Sequence, residues 1–151
     1  MENQFTLSPE QKFEALIIRY QDHVELLRMM TKIDLQIFGG LLSIQLTLGS
    51  FLSINPPKTL AAMAGILLVD AVLSTIASIL LRNNALRRKE AVGTLKNVMS
   101  ALGYYQIGVY IPDKAINESG KLRLWAPLYI TGIIISYIGL GVVILSAYCN
   151  S

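Results

Sequence analysis

Residues 59–81, TLAAMAGILLVDAVLSTIASILL, form an apolar run whose one charge, Asp70, sits near the midpoint. A helix of roughly 20 apolar residues crosses the ~30 Å hydrocarbon layer of a bilayer, and an acid at that depth costs several kcal/mol unless it is neutralised or paired. The run therefore predicts a membrane span in which Asp70 is either functional or well satisfied by its neighbours. Two further uncharged runs, 35–54 and 124–149, predict two more spans. They account for a composition that is 53% hydrophobic and only 15% charged, where a soluble domain carries about 25%. The first 34 residues are polar and amphipathic, with no apolar core followed by a cleavage site, so the first span is expected to direct insertion. A single cysteine, Cys149, rules out an internal disulfide or a multi-cysteine metal site within these 151 residues.

After a tail at 1–8, the series Ser8-Pro9-Glu10-Gln11 has the pattern of a capping box with proline in the first helical position. Phe13, Ile17, Tyr20, Val24 and Leu27 then recur in steps of three and four, with Leu16 widening the stripe, which predicts an amphipathic helix over 9–34. No glycine or proline intervenes before Gly39, so this helix should run into the first span. A continuous helix over 9–54 would be about 70 Å long, and roughly half of it must stand in water. Within the span, Gln36, Gly40, Ser43, Thr47 and Ser50 share one face, a seam expected to meet protein.

Asn55-Pro56-Pro57-Lys58 predicts a hairpin turn, and the second span follows at 59–81. Val92, Leu95, Met99 and Leu102 keep helical spacing after it, so a helix over 82–102 is expected, ended by Gly103. The two polar helix segments should pair through Ile17, Tyr20, Val24 and Leu27 against Val92, Leu95 and Met99. A connector, 103–123, should pack across them, with Ile107, Val109 and Ile111 permitting a short extended segment. Trp125, Tyr129 and Tyr148 suit the two interfaces of the third span, 124–149. The fold class expected is all-α: three transmembrane helices, the first two extended into a cytoplasmic antiparallel helical hairpin.

Basic residues orient it. Four precede the first span, Lys58 lies in the turn, eight fall between Arg82 and Arg123, and none follows. Positive residues stay inside, so the N-terminus is expected in the cytoplasm and the C-terminus outside, in a bacterial inner (plasma) membrane.

Counting outward from the turn places Gln45 and Ser43 near the depth of Asp70, with Ser136 near the middle of the third span. No Lys, Arg or His lies inside any span. Asp70, Gln45, Ser43, Ser74 and Ser136 are therefore the candidate intramembrane polar site. It serves either as a hydrogen-bonded lock between helices or as a cation or proton site, including a ring of carboxylates in a pore. Gly40, Thr47, Ser78, Gly132 and Gly139 are candidate helix-packing positions, and more seams than one subunit uses point to a homo-oligomer. Arg82, Arg87, Arg88 and Lys89 follow a span directly and suit a topology anchor facing anionic lipid; the cluster is too short for a nucleic-acid partner. No catalytic, metal or cofactor motif stands out, and one buried acid without a second catalytic group argues against an enzyme.

The layout resembles that of small bacterial membrane effectors found beside antiviral nucleotide-signalling systems, with the third span as a departure. The expectation for function is an oligomeric membrane effector or ion- or proton-conducting pore whose cytoplasmic helices sense a partner or ligand. The competing expectation is a non-conducting scaffold that recruits a cytosolic protein.

Overall fold

The computed structural model describes residues 8–106 and 125–149, which form three helices and no strand: α1 (Pro9–Ile54), α2 (Leu60–Ala101) and α3 (Trp125–Cys149). All three are long and apolar enough to cross a membrane. The expected connector beyond Gln106, with Ile107, Val109 and Ile111, lies outside the described residues, as does the tail before Ser8.

The helix ends follow from local chemistry. Ser8 N–H donates to Gln11 Oε1 at 2.9 Å and Gln11 N–H to Ser8 Oγ at 3.2 Å, a reciprocal capping box at the start of α1. Thr59 Oγ1 accepts from Ala62 N–H at 3.2 Å and caps α2 behind the Pro56-Pro57 turn. At its far end, Gly103 adopts φ 77°, Gly103 N–H donates to the Ser100 carbonyl, and Tyr104 N–H reaches back to the Met99 carbonyl. That pair of bonds is a Schellman motif, and the left-handed residue it needs is the glycine.

The chain divides into two compact units, and α1 and α2 each run unbroken through both. In the first, whose described residues are 8–30 and 86–106, Met30, Ala91 and Val98 are buried. Leu16, Tyr20, Val24 and Leu27 are half-buried, and Tyr20 stacks on Tyr104 with ring centroids 5.6 Å apart. Phe13 and Ile17, expected in the buried stripe, are exposed. On α2 the expected Val92, Leu95 and Met99 are only half-buried, because the stripe is centred one position earlier, on Ala91 and Val98.

The second unit, residues 31–85 and 123–151, is a three-helix bundle. Asp34 meets Asn84, Leu41 clusters with Ala77, Gln45 meets Ser74, and Leu52 packs with Ile66, so α1 and α2 run antiparallel. The α3 helix runs parallel to α1, with Gly132 against Phe38 and Gly49 against Leu140. Two apolar layers result. One joins Leu41, Ala77, Leu81 and Ile133 with Phe38 and Tyr129; the other joins Leu52, Leu140 and Ile144 with Ile66 and Leu67. The outer faces are the more apolar: Leu46, Phe51, Leu68, Ile135 and Val142 are all well exposed. In water such a surface would be a large sticky patch, whereas in a bilayer it is ordinary lipid contact. Since lipid tails are as apolar as leucine, close packing and polar contacts hold this unit together.

Candidate functional site

Between the two apolar layers lies a polar one. Asp70 and Ser74 stand one helical turn apart on α2 and share a face, while Gln45 reaches across from α1. Gln45 and Asp70 are each 2% exposed and Ser74 is 8%. Gln45 Nε2 donates toward Asp70 Oδ1 at 3.2 Å, Asp70 Oδ2 at 3.1 Å and Ser74 Oγ at 3.1 Å. Gln45 Oε1 is buried and accepts no hydrogen bond among the described residues.

Other expected members lie elsewhere. Ser43 is exposed, and its hydroxyl donates to the Gly39 carbonyl at 2.8 Å, one turn back on its own helix. It is thus no partner of Asp70: two positions from Gln45, it points some 200° around α1 from it. Ser136 is half-buried on α3, between the two apolar layers, and makes no hydrogen bond to the Asp70 carboxylate. Ser78 donates to the Ser74 carbonyl at 2.8 Å.

The packing positions divide in the same way. A Cβ on Gly132 would lie 3.0 Å from Phe38 Cε2, so this glycine is where α3 closes on α1. Gly40 and Gly139 have nothing within 4 Å of such a Cβ, and Thr47 is exposed. The Gln36, Gly40, Ser43, Thr47, Ser50 face is therefore turned away from α2 and α3, and the hydroxyls of Ser43 and Ser50 are satisfied by carbonyls of their own helix. Of the basic cluster, Arg82, Arg87 and Lys89 are exposed and Arg88 is half-buried.

Two features escaped the sequence reading. Asn84 Nδ2 donates to Asp34 Oδ1 at 2.6 Å, a second polar contact between α1 and α2, and Asp34 is 7% exposed. Only the folded register supplies it: with Leu41 against Ala77, position 34 comes opposite 84. The second is Gly49, whose Cβ position lies 3.3 Å from Leu140 Cδ1.

A shallow groove of about 450 Å³ runs along the outer side of the α1–α2 pair, lined by Ile44, Leu48, Ala62, Gly65 and Ile66, with Asp70 in its wall. The small residues Ala62 and Gly65 create it, and it leaves the polar cluster one side chain away from the bundle surface. Compared with protein-family models, curated proteins and solved structures, the chain matches none.

Proposed function

We propose that the chain is a small homo-oligomeric integral membrane protein that acts as a membrane effector. The helix segments 9–34 and 82–102 form its cytoplasmic hairpin, the N-terminus is inside a bacterial inner membrane, and the C-terminus is outside. A partner or ligand bound at the cytoplasmic helices shifts α1 against α2, and the Gln45–Asp70–Ser74 layer is where that shift changes the bundle and the bilayer. The observation that carries this reading is continuity. Each of α1 and α2 is one helix that supplies residues to a polar unit and to an apolar unit. Self-association would use the weakly polar α1 face that α2 and α3 leave uncovered.

A second reading, a non-conducting scaffold for a cytosolic partner, draws on a different observation: Gln45, Asp70 and Ser74 are all buried between the helices. Reconstitution decides between them. Protein-dependent ion flux in liposomes, lost in Asp70→Leu and accompanied by an oligomer in mild detergent, supports the effector. A monomer that conducts nothing overturns it in favour of the scaffold.

A further inference from the structure

We propose that Gln45, Asp70 and Ser74 form a binding site for one monovalent cation, a proton or Na⁺, in the middle of the three-helix unit. The argument starts from a hydrogen shortage. Gln45 Nε2 carries two hydrogens but faces three oxygens at 3.1–3.2 Å, so the two carboxylate oxygens share one N–H in a weaker three-centre bond while the other goes to Ser74. Gln45 Oε1 has no donor at all, although its residue is 2% exposed. Buried acceptors left this way are costly, and a bound ion or proton is one of the ways a native structure satisfies them.

A cation resolves the shortage. Turning the Gln45 amide over exchanges Nε2 and Oε1, which puts an amide oxygen, both carboxylate oxygens and the Ser74 hydroxyl around one point. Four oxygens of that kind suit Na⁺, a hard cation, and the same arrangement lets a proton on Asp70 be donated to Oε1. The charge bound in either case cancels that of Asp70, which offsets the bond the turned amide gives up.

Among the described residues no other charge competes. The α3 helix carries no Asp, Glu, Lys, Arg or His, and its titratable group at this level is the half-buried Tyr137. Along α1 the nearest charged residue is Asp34, 11 positions from Gln45, and along α2 it is Arg82, 12 positions from Asp70, or about 16–18 Å; Lys58 lies in the turn before α2. The groove beside Asp70 is lined by apolar side chains and gives an apolar reagent a short approach from the bundle surface. The proposal rests on the membrane-spanning reading alone and needs neither self-association nor signalling.

The test uses the full chain in detergent and dicyclohexylcarbodiimide, an apolar reagent that adds to protonated carboxyl groups. In Na⁺-free buffer one adduct is expected, mapped to Asp70 by fragmentation and absent in Asp70→Asn. If Na⁺ is the ligand, added Na⁺ protects and K⁺ does so less. If a proton is the ligand, Na⁺ has no effect and labelling falls as pH rises. In both cases Gln45→Leu should move the half-protecting Na⁺ concentration, or the proton activity at half-maximal labelling, by about tenfold or more, with Ser74→Ala, the milder change, moving it in the same direction. Helix content and particle size establish that each variant is folded, and Ser74→Ala carries the test if Gln45→Leu is not. The proposal is overturned if folded wild-type protein gives no adduct at any pH without Na⁺. It is equally overturned if labelling is the same in wild type and in the folded variants under every condition. Because the readout is labelling of solubilised protein, a failure here is distinct from an absence of flux.

Discussion

Gly132 offers the sharpest measure of how α3 is held. An alanine there would place Cβ 3.0 Å from Cε2 and 3.2 Å from Cζ of Phe38. Carbon atoms in contact prefer about 3.5–4.0 Å, so the ring or the helix must give by about 0.5 Å or more. Phe38 cannot swing away freely, because it stacks on Tyr129 at 4.9 Å, and Tyr129 in turn packs beside Trp125. Overpacking of this kind costs about 1–3 kcal/mol, and Gly132→Val should fall at or above the top of that range. Gly40→Ala and Gly139→Ala are the controls. Both positions are open in the subunit, so the subunit should be unchanged or gain up to about 1 kcal/mol in helix propensity. The single tryptophan, Trp125, sits at the end of this aromatic row, and its fluorescence during unfolding in mixed micelles reports the loss of packing. Phe38→Leu in the Gly132→Ala background should recover part of the loss, which a double-mutant cycle reads directly. If Gly132→Val unfolds at the same denaturant concentration as wild type, α3 does not close on α1 at this point. If Gly40→Ala instead reduces particle size while leaving the subunit stable, the uncovered α1 face is a contact between copies.

Gly103→Ala should cost about 1 kcal/mol at the end of α2, since a side chain is strained at φ 77°; faster hydrogen exchange over residues 96–101 is the expected sign, and unchanged exchange would contradict the Schellman geometry. Asn84→Ala removes a donor from the buried Asp34 and should destabilise the bundle by about 1–3 kcal/mol in the same micelle assay, whereas Asn55→Ala in the turn should do little. For orientation, an impermeant thiol reagent should label Cys149 in intact cells while Ser119→Cys in a Cys149→Ser background stays protected; the reverse pattern would invert the protein.

Much of the fold was legible because its causes are local. The capping box at Ser8 and Gln11, the Pro56-Pro57 turn and the glycine stop at 103 are each decided within a few residues, and three long apolar runs can only be helices in a bilayer. Pairing Asp70 with Gln45 was also within reach, since a short turn sets the antiparallel register and counting outward from it matches their depths. The direction each residue faces was not. In water a hydrophobic stripe tells which side of a helix is inside, but in lipid both sides are apolar, and a hydroxyl can satisfy itself on its own backbone. Ser43, Thr47 and Ser50 therefore looked like a protein-facing seam and are exposed, while Gln45, whose amide is too large to be satisfied that way, is drawn inward to Asp70. The tertiary structure also decided that Gly132 and Gly49 carry the close approaches and that Gly40 and Gly139 do not. All four are glycines in apolar helices, and only the rotation of each helix against its neighbours distinguishes a glycine that admits a ring from one that faces open space.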